Sequence, residues 1–260
     1  MVRARLAIAA AVIGFVVPHA VLVAAAEGAE DKETPLTKAA AAGELETVRT
    51  LIAKGADVQA RNKKGDTPLH VACEKGHLAV ARYLVEHGAP VDGKGYFEKT
   101  PLHVAAGEGH VEVAEFLIAK GAKLESKHQN EMTPLMSAAW GGRTKCVELL
   151  VAKKADTRAA SGPKQLTALH FAVMLAHKDV AVVLIDKGKT PVDITSRFGS
   201  TPLHFAAEGR YIPDSIAEML IAKGADVNAR NEGGLTPLKF ARGRDKDALV
   251  KTLLKHGAKE

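Results

Sequence analysis

A short motif that recurs at a nearly constant interval is the feature of this 260-residue chain that most restricts its fold. Successive copies begin 33, 33, 33, 34, 34 and 35 residues apart. Self-similarity at a fixed period is the signature of a repeat architecture, so the sequence predicts a stack of similar units. The motif Thr-Pro-Leu-His starts at Thr67, Thr100 and Thr201, and close variants start at Thr34, Thr133, Thr167 and Thr236.

The residues of each copy predict a helix, a turn, a second helix and an extended arm. Thr caps a helix, and Pro suits the first helical position, where its missing N–H costs nothing. Small pairs such as Ala105-Ala106 let a neighbouring helix approach closely, and Gly109 turns the chain. The apolar segment 111–119 predicts the second helix, which ends at Gly121 because glycine readily adopts the left-handed conformation. A polar stretch such as 57–66 is the predicted arm.

With these markers the sequence resembles the ankyrin-repeat family, whose 33-residue period and Thr-Pro-Leu-His motif it shares. The resemblance implies an all-α repeat protein, an ankyrin-type solenoid of helix-turn-helix units with β-turn fingers and a concave face. It covers residues 34–260 as seven units, with boundaries at 34–66, 67–99, 100–132, 133–166, 167–200, 201–235 and 236–260.

Three central units depart from the pattern. Lys154 replaces the glycine that stops the second helix, Ala168 replaces the motif proline, and the arm 189–192 is altered. Two residues are inserted around 211–213. A terminal unit needs a polar outer face, and the last unit is expected to present such a face with Lys246, Lys251, Lys255 and Lys259.

The first 26 residues predict a secretory signal peptide. Arg3 and Arg5 precede an apolar run, and small residues end at Ala26. We expect cleavage after Ala26, a short acidic linker at 27–33, and an exported protein that is periplasmic or secreted. The alternative is an uncleaved membrane anchor, although Pro18 is a poor residue for the centre of a membrane helix.

The net charge of +6 does not indicate a nucleic-acid partner. The two leader arginines supply +2, and residues 236–260 hold seven Lys/Arg against three Asp/Glu, or +4. The body between them carries 27 residues of each sign and is neutral. A nucleic-acid site usually shows a clustered basic stripe, which this distribution lacks.

The eleven histidines could indicate a metal site, but their positions within the repeat argue against one. Equivalent residues in adjacent units lie roughly 8–10 Å apart, too far to share an ion bound at about 2.0–2.1 Å. The resemblance implies instead that the motif histidines hydrogen-bond the backbone and connect units. These histidines are His70, His103, His170 and His204.

No residue pattern predicts catalysis. Cys73 and Cys146 fall on buried positions two units apart, which predicts free thiols instead of a disulfide. The segment 88–95 resembles a phosphate loop only superficially, since it lacks the Ser/Thr and follows a helix. We therefore expect a protein that is not an enzyme, with no cofactor, no metal and no small-molecule substrate.

The family resemblance places partner contacts on the finger tips before each threonine and on two positions after each Ala-Ala pair. Large apolar side chains and arginine dominate interface energies, and several occupy these positions near the middle of the chain. The alternative is that Leu166, Leu175 or Phe198 packs under an irregular arm as local core. The predicted partner-binding residues are Tyr96, Phe97, Met132, Trp140, Met174, Arg197 and Phe198.

These observations predict a non-enzymatic scaffold that binds a partner protein through the concave groove and the finger tips. The identity of the partner is not encoded in the repeat, because one fold serves many partners. A monomer is expected. The alternatives are a structural repeat protein that associates with itself and, if the leader is retained, a membrane-anchored interaction module.

Overall fold

The computed structural model describes residues 33–259, which form helices joined by turns and extended arms. Within this range fourteen α-helices follow one another, and a short 3-10 turn spans Tyr96–Glu98. The β-type pairing in the same range is one isolated bridge between Ser161 and Leu166. In chain order the helices are α1 Pro35–Ala42, α2 Leu45–Ala53, α3 Pro68–Lys75, α4 Leu78–Glu86, α5 Pro101–Glu108, α6 Val111–Ala119, α7 Pro134–Trp140, α8 Thr144–Ala152, α9 Ala168–Met174, α10 Lys178–Asp186, α11 Pro202–Glu208, α12 Asp214–Ala222, α13 Pro237–Gly243 and α14 Asp247–Lys255.

The predicted signal peptide, residues 1–26, lies outside the described residues, as does most of the predicted 27–33 linker. Both therefore stay predictions. No helix between residues 33 and 259 is long and apolar enough to cross a membrane.

Each odd-numbered helix begins at a motif threonine. Thr100 has an extended backbone, and its Oγ1 accepts a hydrogen bond from the backbone N–H of His103 at 3.5 Å. Pro101 then takes the first helical position. Helix α9 begins in the same way although Ala168 replaces the proline, so the threonine cap is the part of the motif that fixes the helix start.

The helices pack in two layers. Consecutive helices pair, the odd-numbered helices stack in one layer, and the even-numbered helices stack in the other. The odd-numbered layer is the more tightly packed, helped by fully buried alanines such as Ala105 and Ala138. The all-α repeat architecture predicted from the sequence is confirmed.

Side chains at the start of α4, α6, α8 and α10 tie neighbouring helix pairs together. The Nε2–H of His110 donates to the carbonyl of Glu74 at 2.9 Å, 36 residues earlier in the chain. Arg143 makes the same contact with the carbonyl of Gly107 through Nε at 3.0 Å. We call this row the backward bonds; its other members are His77 to Ala41 and His177 to Trp140.

The structure corrects the expectation for Lys246. Its ammonium group does not face solvent on the end of the stack but donates to the carbonyls of Ala206 and Ile212 at 3.0 and 2.9 Å. It also pairs with Asp214 at 3.2 Å, and its side chain is nearly buried. The two-residue insertion before α12 leaves these carbonyls without helical partners, and Lys246 satisfies them.

Candidate partner-binding surface

The finger at residues 95–99 carries two exposed aromatic side chains. Tyr96 is 42% exposed and Phe97 is 37% exposed, and their rings meet edge to face with centroids 4.3 Å apart. The backbone of Phe97 has φ +53°, a left-handed conformation that is uncommon for a residue with a side chain. The finger closes through a hydrogen bond from Gly95 N–H to the carbonyl of Lys99 at 2.8 Å.

Hydrogen bonds to neighbouring arms hold this aromatic pair in place. The Tyr96 N–H donates to Asp66 Oδ1 at 2.8 Å, and the Gln129 N–H donates to the Phe97 carbonyl at 3.0 Å. Arg61 reaches the carbonyl of Lys94 at 2.7 Å from the preceding arm. A partner that docks here meets a surface that is already ordered, which reduces the entropy lost on binding.

The structure corrects the assignment of Met132 to the exposed surface. Met132 is 7% exposed and belongs to the hydrophobic core, and its carbonyl accepts the His103 Nε2–H at 2.9 Å. It is the last finger residue before a threonine cap, and its own side chain points into the core. Leu166 occupies the same position and is also buried, held by the two hydrogen bonds of the Ser161–Leu166 bridge. Local core is the correct reading for both.

Trp140 and Met174 lie at the carboxyl ends of the neighbouring helices α7 and α9. Both are half-buried and pack against the core. The Trp140 ring contacts Phe171 edge to face, with centroids 5.5 Å apart. Part of each side chain therefore holds the stack together, and only the remainder is open to a partner.

Arg197 and Phe198 lie on the finger at residues 196–200. Both are exposed, Phe198 by 52%, so the alternative that Phe198 packs under an arm is wrong. The Arg197 N–H donates to the Lys164 carbonyl at 2.9 Å, and the Phe198 carbonyl accepts from Glu232 N–H at 3.1 Å. Three repeat spacings separate Phe198 from the 95–99 finger, or roughly 24–30 Å. The structure thus shows two exposed finger groups, not one cluster.

Three exposed large apolar residues were not singled out from the sequence as contact residues, namely Tyr211, Leu235 and Leu254. Tyr211 is 70% exposed in the turn between α11 and α12, at the opposite end of the helices from the fingers. Leu235 takes the inward position of Met132 in its own finger, yet it is exposed. In the described part of the chain no further finger follows to cover Leu235. Its place in the last finger could have predicted this exposure from the sequence.

The motif histidines are structural, as the sequence predicted. In His103, Nδ1 accepts from the Thr100 N–H at 3.1 Å while the Nε2–H donates to Met132. Both ring nitrogens are used, so neither is free to bind a metal. Burial lowers the pKa of His103 to about 3, with a smaller contribution from the nearby His128, and burial lowers the pKa of His170 to about 4.

The two cysteines are buried free thiols, as expected. Burial raises the pKa of Cys146 to about 11 and that of Cys73 further. Such thiols are poor nucleophiles. Across residues 33–259, no three His, Cys, Asp or Glu side chains are grouped so that they could hold a metal ion.

Comparison with known proteins gives the family. The family model described as "Ankyrin repeats (3 copies)" matches residues 6–95, 90–161, 121–195 and 155–231. The crystal structure of the human ASB11 ankyrin repeat domain superposes with a TM-score of 0.76 at 30% identity, over 88% of this chain and 100% of that one. The chain belongs to the ankyrin-repeat family.

Curated relatives share only a segment with this chain. Mouse ankyrin repeat domain-containing protein 53 is 36% identical over 80 residues, which is 30% of this chain and 16% of that protein. The regulatory protein NPR5 of Arabidopsis thaliana is 40% identical over 85 residues, or 32% of this chain and 17% of that protein. The similarity therefore concerns the repeats and not the whole of those proteins. Ankyrin repeats generally mediate protein–protein interaction.

Proposed function

We propose that this protein is a non-enzymatic scaffold that binds a partner protein through its finger tips and the curved odd-numbered helix layer. The observation that carries the proposal is the exposed Tyr96–Phe97 pair on a finger that hydrogen bonds hold from both sides. Aromatic side chains on a rigid surface are the commonest energetic anchors of interfaces. Phe198 and Arg197 provide a second anchor on a distant finger, so the expected partner is extended along the stack.

The finer assignments belong to the same proposal. We infer seven repeat units, an exported periplasmic or secreted location, and a monomer with neither a nucleic-acid partner nor a small-molecule substrate. Seven helix pairs within residues 33–259 support the unit count. The alternatives are self-association through the same surface and a membrane-anchored module that retains its leader.

A pull-down with matched variants tests the groove. The double variant Tyr96→Ser, Phe97→Asn removes both rings, and asparagine tolerates the left-handed backbone at position 97. The control Tyr211→Ser removes a more exposed aromatic ring at the other end of the helices. The specific partner should bind at least about tenfold more weakly to the double variant than to the control.

An unchanged set of captured proteins in the double variant would contradict the finger assignment. Sedimentation at several protein concentrations tests the alternative of self-association by measuring the mass in solution. If the mass rises with concentration and the double variant abolishes that rise, the partner is a second copy of the chain. Mass spectrometry of the exported protein tests the leader, with Glu27 as the expected first residue and an intact Met1 as the contrary result.

A further inference from the structure

An open cleft of about 390 Å³ lies at the base of two successive arms, where α8 and α10 end. The lining comes from the turn after α8 and the turn after α10. Four of the nine lining residues are cationic and one is a carboxylate, although residues 27–235 as a whole are neutral. The charged lining residues are Lys154, Asp156, Arg158, Lys187 and Lys189.

Two of these lysines stand in strained backbone positions. Lys154 has φ +67° at the position where other copies of the repeat have glycine, such as Gly121 with φ +90°. In the next turn the left-handed position moves by one residue to Lys189, with φ +53°. Retention of a side chain where glycine fits better points to a role for that side chain.

The ordinary structural role of a lysine at a helix end is already filled here. Cations near a helix carboxyl terminus interact favourably with the helix dipole. Lys153 and Lys187 occupy the carboxyl caps of α8 and α10, as Lys120 and Lys223 do in α6 and α12. Lys154 and Lys189 are therefore additional to the capping cation that most copies carry.

The acidic groups at the cleft balance these cations only in part. Lys187 pairs with Glu148 at 2.7 Å. The Asp156 carboxylate lines the cleft and accepts the backbone N–H of Arg158 at 2.8 Å, and the Glu125 carboxylate accepts the backbone N–H of Asp156 at 2.8 Å. Asp186 pairs with Lys223 at 2.6 Å. Within residues 33–259, the side chains of Lys154, Arg158 and Lys189 form no ion pair.

We propose that this cleft binds a small polyanion that carries clustered tetrahedral oxyanion groups, namely phosphate or sulfate esters. The cleft is open to solvent and five of its nine lining residues are charged, which suits a hydrated and highly charged ligand better than an apolar one. Three cations without an ion pair, from two arms, suit a ligand with several negative charges, which can contact both arms at once. The site is separate from the aromatic fingers and does not depend on the proposed partner.

Isothermal titration calorimetry of the full chain tests the site, with inositol hexakisphosphate as the phosphate probe and a fully sulfated heparin disaccharide as the sulfate probe. The test variant is Lys154→Gly, Lys189→Gly, which removes both charges and relieves the strained backbone, so it should fold at least as well as the wild type. The matched control is Lys153→Gln, which removes one cation next to the cleft but outside its lining.

We expect saturable binding of at least one probe, weakened about tenfold or more in the double variant and changed less than about twofold in the control. Binding should also weaken as salt is raised. The probe that binds more tightly identifies phosphate or sulfate as the source of the oxyanions. Equal binding by the double variant, or no saturation with either probe up to millimolar concentration, would overturn the proposal.

Discussion

Lys154 shows how much a single residue can reveal in a repeat protein. The left-handed conformation costs a residue with a side chain about 1–2 kcal/mol, and glycine avoids this cost. Five copies of the repeat have glycine at this point, namely Gly55, Gly88, Gly121, Gly224 and Gly257, all with positive φ. Lys154 is recognised as an exception only because the repeat period predicts a glycine at its position.

The variant Lys154→Gly should raise the free energy of unfolding by about 0.5–1 kcal/mol. Relief of backbone strain exceeds the entropy that glycine adds to the unfolded chain. Urea denaturation of the wild type and the variant measures this difference. The control Lys153→Gly lies one residue earlier at φ −82°, where glycine gains nothing, and should be slightly destabilising. A less stable Lys154→Gly would contradict the strain argument.

Thr190 gives a second prediction at the residue scale. It is buried, and its hydroxyl is the buried side-chain polar atom in the described residues that has no hydrogen-bond partner. Thr190→Val keeps the shape and removes the desolvated hydroxyl, so it should stabilise the fold by about 1 kcal/mol. Thermal unfolding checks the sign. In Thr157→Val the lost hydroxyl donates to the Gly188 carbonyl at 3.3 Å, so that variant should be neutral or less stable.

At the scale of the helix pair, glycine at the carboxyl end of the first helix has two roles. Gly142 has φ +67°, and a Cβ there would lie 2.7 Å from Nδ1 of His177, which makes a backward bond to Trp140. Gly88 also has a positive φ, but a Cβ there would meet nothing within 4 Å. An alanine at position 88 therefore introduces backbone strain alone, whereas an alanine at position 142 introduces backbone strain and a steric clash.

Gly88→Ala should cost about 1–2 kcal/mol of stability through backbone strain alone, and Gly142→Ala should cost at least about 1 kcal/mol more. The additional loss arises because the histidine must move away from its carbonyl. Urea midpoints of the two variants provide the comparison. Equal losses would show that the histidine shifts freely and that its backward bond contributes little.

The helices could be predicted from the sequence because their signals are local and repeated. Threonine caps, alanine pairs and helix-stopping glycines each act within one copy, and the successive copies reinforce one another. The surface was predicted less well. Whether Met132 or Tyr96 points outward depends on the turn of each finger and on the neighbouring arm, which a motif of four residues does not encode.

The same limit explains Lys246 and the cationic cleft. Lys246 turns inward because the insertion 211–213 exposes carbonyls in the preceding helix pair, so its role depends on a contact 34–40 residues away. The cleft joins two arms whose departures from the repeat look unrelated along the chain. Both features depend on contacts between different copies of the repeat, and the repeat period alone does not predict those contacts.

For the whole molecule, the buried histidines make stability depend on pH. His103 and His170 are neutral in the fold, with pKa values of about 3 and about 4, while an unfolded histidine has a pKa near 6.5. The unfolded chain therefore binds more protons below pH 6.5. Their contribution to stability is complete above pH 6.5 and is lost as the pH falls towards the folded values.

We expect the free energy of unfolding to decrease between pH 6.5 and pH 4, with a loss on the order of 3 kcal/mol for His170 alone. Urea denaturation at several pH values measures this slope. His170→Gln should be less stable at neutral pH but lose less stability on acidification. Gly88→Ala removes no histidine and should lower stability equally at every pH. A wild-type slope identical to that of His170→Gln would contradict the assignment.

The backward bonds give the molecule a direction. The carbonyl of Glu74 receives its partner from His110, which follows 36 residues later in the chain. During synthesis from the amino terminus, each of the first four helix pairs therefore gains its backward bond only when the next pair has been made. We expect folding on the ribosome to trail chain growth by about one repeat, with the newest pair always the least protected against proteases.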